Sequence, residues 1–162
     1  GTFSNIDGLI SGIAHPILGM DHLLFLFSIA LIGCSFNRNW LSTLFLSGLL
    51  GTVLSLIYPV TLNGLEVILS LSLLAAALVL AGLINPLVFF PLMICHGYVF
   101  GLSMVGAEPT PILSYVIGLL ISQVIIVSLG ILFTIKFVQY KKIISAILAG
   151  VGISLTTGMI LA

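Results

Sequence analysis

The stretch GLISGIAHPILGMDHLLFLFSIALIG, residues 8–33, decides the fold class. Asp21 is its one carboxylate, and it holds no lysine or arginine. A helix rises about 1.5 Å per residue, so about twenty apolar residues cross a hydrocarbon core of roughly 30 Å. The segment therefore reads as a transmembrane helix. Three ionisable side chains, His15, Asp21 and His22, stand inside it. Ionisable groups at membrane depth are costly and by default mark a site.

Five further apolar segments, set off by polar or Pro/Gly punctuation, extend the pattern over residues 41–58, 63–82, 86–105, 111–136 and 143–161. Asn85-Pro86 and Thr110-Pro111 each place a capping residue before a proline at the first helical position, and Trp40 suits a membrane interface. Of 162 residues, 60% are hydrophobic and 5% charged, with a mean hydropathy of +1.41. A soluble domain carries about a quarter charged residues, so this composition does not suit water. The expected architecture is all-α: one transmembrane domain over residues 1–162, a polytopic bundle of six helices. Four basic residues form no patch for nucleic acid, and Cys34 and Cys95 give neither a CxxC pair nor a disulfide framework. Any signal peptide is expected to lie outside this sequence.

Arg38 falls in the first connection, and Lys136, Lys141 and Lys142 fall in or beside the fifth. With six spans those connections share one side of the membrane, and the positive-inside rule makes it cytoplasmic. Both termini are then extracytoplasmic, with Asp7 and Glu108. His15 lies in the outer part of the first helix, Asp21 and His22 near the midplane, His96 near the midplane of the fourth, and Glu66 near the outer end of the third. Together they make a polar funnel opening outward.

His15 and His22 share a helical face but stand roughly 10 Å apart along a regular axis. Adjacent Asp21 and His22 point in different directions. One shared ion needs distortion, for which Pro16 and Gly19 give a cause. Either the kink gathers the ligands or His15 is an outer station and Asp21/His22 an inner one. Plainer roles exist as well. A His/Asp pair can fasten helices, the Gly97/Gly101 spacing predicts close packing around His96, and Asn63-Gly64-Leu65-Glu66 has capping-box spacing. Gln123, Ser154, Thr156 and Thr157 read as helix-bridging groups. Imidazoles with carboxylates form a borderline N/O set suited to Ni²⁺, Co²⁺, Zn²⁺ or Cu²⁺ and poorly suited to Mg²⁺ or Ca²⁺. The candidate metal ligands are His15, Asp21, His22, His96 and Glu66.

The HPxxGxDH pattern at His15, Pro16, Gly19, Asp21 and His22, followed by Leu23-Leu24-Phe25-Leu26 and a later HGxxxG at His96, resembles the HupE/UreJ family of membrane proteins. Six spans, the chain length and Glu66 early in the third span extend the resemblance over essentially the whole chain. The resemblance implies nickel or cobalt uptake serving hydrogenase, urease or cobalamin enzymes, across a bacterial inner or plasma membrane. It also implies that His15, Asp21 and His22 are ligands or translocation residues with His96 as partner. The family's later motif is usually FHGxAxGxE. Here Cys95 replaces its phenylalanine, Val99 its alanine and Ser103 its glutamate.

The leading expectation is a secondary permease for a divalent transition metal, since no Walker motif is present to consume ATP. No prosthetic group is expected. A metal-binding accessory or sensor without transport is the alternative. An intramembrane hydrolase is a remote one: Gly101-Leu102-Ser103-Met104 lacks the final glycine of GxSG, no histidine follows His96, and HExxH is absent. The expected partners are the bilayer and the metal ion. The small-residue pairs Gly8/Gly12, Gly97/Gly101, Gly118/Ser122 and Ala146/Gly150 can pack helices within one subunit or across a homo-oligomer.

Overall fold

The computed structural model describes residues 4–33, 38–61, 64–107 and 109–161. Expectations that rest on Cys34, Asn63, Glu108 and the Arg38 side chain lie outside them. Among the described residues there is no strand, and the chain runs through seven α-helices. These are α1 (Asn5–Leu18), α2 (Met20–Gly33), α3 (Arg38–Ile57), α4 (Leu65–Leu80), α5 (Phe89–Leu102), α6 (Pro109–Phe137) and α7 (Lys141–Leu161). Short 3₁₀ turns at Pro86–Val88 and Val138–Tyr140 lead into α5 and α7.

A capping box opens α1. The Asp7 N–H donates to Ser4 Oγ at 3.1 Å, and the Asp7 carboxylate accepts from the Ser4 N–H at 2.9 Å and hydroxyl at 2.6 Å. The Ser4 hydroxyl first, and then its backbone N–H, hold the Asp7 carboxyl below its ordinary value.

The single helix expected over residues 8–33 is instead two, α1 and α2, bent by 77°. Pro16 has no N–H for the Gly12 carbonyl, yet the chain stays helical through Leu18. It gives way at Gly19, whose φ of −81° and ψ of 109° are extended. The Gly19 N–H reaches back to the His15 carbonyl at 3.2 Å, and the Gly19 carbonyl accepts the Leu23 N–H at 2.9 Å. The expected helix at 63–82 shortens to α4 because the chain is left-handed at Gly64 (φ 94°) and Gly82 (φ 76°). Of the expected 86–105, only Phe89–Leu102 is α-helical.

By length and composition, Asn39–Ile57 can cross a membrane, and the bent pair α1–α2 adds a further apolar span if taken as one. The helical run Thr110–Leu161 counts 52 residues with mean hydropathy 2.6. Straight, it would measure about 78 Å, more than twice a hydrocarbon core of about 30 Å. Phe137 (φ −123°, ψ 25°) and the turn after it divide that run into α6 and α7. α4 and the Pro86–Leu102 segment are shorter apolar helices.

Three helix pairs form the bundle, with α2 packed against α4 and α6. In α1/α6, Gly8 meets Pro111 and Gly12 meets Tyr115. In α3/α5, Gly48 meets Gly97, Gly51 meets Ile94 and Tyr98, and Gly101 meets Thr52 and Ser55. Both pairs therefore run parallel. In α4/α7, Ser70 bonds Thr156, Leu73 meets Gly152, and Ser145 donates to the Ala77 carbonyl. That pair runs antiparallel. Glycine lets these backbones approach closely enough for dispersion contacts to hold them where no hydrophobic effect acts between helices and lipid. Phe25, Ile29, Ala30, Leu44, Leu73, Ala76 and Phe89 are fully enclosed between the helices.

Of the residues expected to bridge helices, Thr156 does so through Ser70. Thr157 instead bonds the Ile153 carbonyl of its own helix on an exposed side. Gly8, Gly12, Gly97, Gly101 and Gly118 are all spent on contacts within the chain, whereas an added Cβ at Gly150 would meet nothing.

Candidate metal centre

The break at Gly19 re-aims the segment that carries His15, Asp21 and His22. Between α1 and α2 the rings of His15 and His22 come to 5.8 Å centroid to centroid, well inside the axial separation of a regular helix. Two imidazoles on one ion have ring centres about 4.5–6.4 Å apart, from a metal–nitrogen bond of about 2.1 Å and inter-ligand angles between square and linear. The observed spacing falls in that range. Asp21 joins both histidines in lining one cavity of about 410 Å³, with Ser11, Ala14, Leu18 and Gly19. The break thus brings all three residues to the wall of one cavity.

His96 reaches the same cluster from α5 but lies behind it. It is 1% exposed and does not line the cavity. Its Nδ1 lies 2.9 Å from His22 Nδ1, and its Nε2 lies 2.9 Å from Ser72 Oγ on α4. Phe25 stacks on its ring at 4.0 Å with the planes 1° apart. Phe100 packs against both His15 (5.0 Å) and His22 (4.5 Å).

The protons follow from the hydrogen bonds. Ser72 donates its hydroxyl to the Leu69 carbonyl, so its oxygen accepts from His96 Nε2–H. A neutral His96 then has a lone pair on Nδ1, which accepts His22 Nδ1–H. The free lone pair of His22 is left on Nε2. A second chain serves His15, whose Nδ1 lies 3.0 Å from the Tyr115 hydroxyl. The one Tyr115 proton has two acceptors in reach, the Phe100 carbonyl at 3.1 Å and His15 Nδ1; when it goes to the carbonyl, the Tyr115 oxygen accepts His15 Nδ1–H. Ser103 donates to the same carbonyl at 2.7 Å and stands 3.2 Å from the Tyr115 oxygen.

Glu66 is placed elsewhere. It is exposed in the first turn of α4 and lines a different cavity of about 470 Å³ with Thr61, Val99, Leu102 and Met159. Among the described residues no three of His, Cys, Asp and Glu are already drawn together closely enough to hold a metal ion. The cluster is therefore two imidazoles and a nearby carboxylate around an open cavity, which a bound ion would have to tighten.

Ser72 and Tyr115 were missed in the sequence. A serine inside the apolar run of α4 is a signal of an interhelical bond, though not of its partner. A tyrosine near the start of an apolar helix reads equally well as an interfacial anchor, so Tyr115 carried no usable signal.

A family model described as HupE / UreJ protein matches residues 2–161. No curated protein and no solved structure matches the chain. The match spans nearly the whole sequence and includes the broken helix that gathers His15, Asp21 and His22. The chain belongs to the HupE/UreJ family of membrane proteins.

Proposed function

We propose that the protein is a secondary permease that takes a divalent transition-metal ion, nickel or cobalt, inward from the extracytoplasmic side. The observation that carries this reading is the convergence of the His15 and His22 rings with Asp21 on one cavity at a break in an apolar helix. Broken helices are a recurrent device of transporters, because backbone freed at membrane depth can line a cavity and help replace an ion's hydration. Two imidazole nitrogens and a carboxylate suit Ni²⁺ and Co²⁺, as well as Zn²⁺ and Cu²⁺. Membership of the HupE/UreJ family favours the first two.

Six alternating passes, with α1 and α2 together forming the first, fit the helix directions. Passes one and five run parallel, two and four run parallel, and three and six run antiparallel. The basic residues then set both termini extracytoplasmic in a bacterial inner membrane. The transported ion and the bilayer are its partners, with no prosthetic group and no catalytic role. Ser103 is tied to the Phe100 carbonyl and Tyr115, which does not suit a nucleophile in a hydrolase. Ala146 and Gly150, both on the exposed side of α7, leave a small-residue face for a second copy.

Purified protein in liposomes under a fixed inward Ni²⁺ gradient tests the reading. Uptake should depend on Asp21 and His22. Equal uptake by wild type and His22→Ala would sink the proposal. Saturable Ni²⁺ binding without flux would leave the accessory or sensor reading instead.

A further inference from the structure

We propose that His96 and Tyr115 are positioning residues rather than metal ligands: each fixes one cavity histidine with its proton on Nδ1 and its Nε2 lone pair toward the ion. The inference rests on the reading of His15, Asp21 and His22 as the metal site. Three observations carry it. His96 is 1% exposed and absent from the lining of the cavity that His15, Asp21 and His22 share. Both His96 nitrogens are already engaged, with His22 on one side and Ser72 on the other. The Ser72 hydroxyl is committed to the Leu69 carbonyl, which gives the whole chain one direction of donation.

The chain Leu69 carbonyl, Ser72, His96, His22 ends on the cavity, and so does the chain Phe100 carbonyl, Tyr115, His15. They start from carbonyls on different helices, α4 and α5, and with Tyr115 donating to its carbonyl they deliver the same tautomer to both histidines. A ligating histidine normally donates its other ring N–H to an outer acceptor, which orients the ring and raises its basicity. Here those acceptors are a neutral imidazole and a phenol. Both are rigid: Phe25 stacks on His96, and Tyr115 is fully buried between α1 and α5. Ser103 adds a hydroxyl beside Tyr115 and so acts on His15 only through it.

X-ray absorption on the Ni²⁺-loaded protein separates ligand from positioner. His96→Asn, whose side-chain oxygen can still accept the His22 proton, should keep the wild-type number of imidazoles on nickel. Its Ni²⁺ affinity should fall by about 10–100-fold at most. His22→Ala should lose one imidazole. His96→Gln gives a second variant if the first does not fold. Loss of an imidazole in the His96 variants would overturn the inference while leaving the His22 site standing. A wild-type spectrum without imidazole would overturn the metal site and the inference together.

Tyr115 is tested by a cycle. Tyr115→Phe should weaken Ni²⁺ binding by about 10–100-fold in the wild-type background and leave it unchanged in His15→Ala. The same loss in both backgrounds would mean that Tyr115 does not act through His15.

Discussion

Gly97→Ala couples the packing of the bundle to its site. A Cβ at Gly97 would stand 2.7 Å from the Gly48 carbonyl carbon on α3 and closer still to its oxygen. Carbon atoms rest about 3.5–4.0 Å apart, so α5 must retreat by roughly 0.8–1.3 Å. It has little room to do so. His96, the adjacent residue, is stacked on Phe25, and Phe89 and Met93 on the same helix are buried. Overpacking costs about 1–3 kcal/mol, and a helix clamped on both sides should lie at the upper end. A shift of that size also carries the 2.9 Å His22–His96 contact beyond the range of a good hydrogen bond.

The single tryptophan, Trp40 on α3, lies 6.3 Å and 6.0 Å from the rings of Phe89 and Phe90, and its emission reports the approach of α3 and α5. Titration with SDS in mixed micelles should find Gly97→Ala unfolding at a distinctly lower detergent fraction, with altered Trp40 emission and weakened Ni²⁺ binding. Gly150→Ala, whose added methyl meets nothing, should match wild type. Wild-type stability, emission and affinity in Gly97→Ala would refute the close-packing argument and the link from packing to site.

Gly19→Ala should act on the site directly. Its φ of −81° accepts a side chain, but the methyl would stand 2.6 Å from His22 Cδ2. We expect reduced Ni²⁺ affinity by calorimetry because the His22 ring must shift, and equal affinity would count against the geometry of the break. At the N-terminus, Asp7 holds its carboxyl below its ordinary value of 3.8, so its contribution to α1 is present above that pH and is lost as pH falls through the lower folded value. Amide-exchange protection of Asp7 and Gly8 should fall on acidification and lose that pH dependence in Asp7→Asn. Protection in wild type that stays flat well below pH 3.8 would refute the cap.

Much of the fold was legible because a bilayer imposes simple rules. Apolar run length marked the helices, and Asn85-Pro86 marked the start of one. The glycine pairs at 8/12 and 97/101 marked real close approaches. The ends of α4 were less legible, because an isolated glycine such as Gly82 is tolerated within a helix and turns left-handed only in context. The break in the first helix was half legible. Pro16 and Gly19 announced distortion, but the 77° bend depends on how α1 packs on α6 and α2 on α4, which are long-range contacts.

The site divides the same way. His15, Asp21 and His22 were readable as polar groups in the wrong solvent, and the structure gathers them. His96 does meet His22, yet that contact says nothing about which ring faces the cavity. That depended on Ser72 and Phe25, whose roles appear only after three helices have met. Glu66 shows the reverse limit. Its position in the sequence suggested the funnel, while the fold opens it onto a separate cavity beside Met159.

The most direct test is a crystal of the Ni²⁺-soaked protein with anomalous differences recorded on both sides of the nickel absorption edge. One peak is expected in the cavity at the α1–α2 break, about 2.1 Å from Nε2 of His15 and of His22 and within bonding reach of an Asp21 oxygen. A peak bound instead by His96 Nδ1 or in the Glu66 cavity, or no ordered nickel at all, would contradict it.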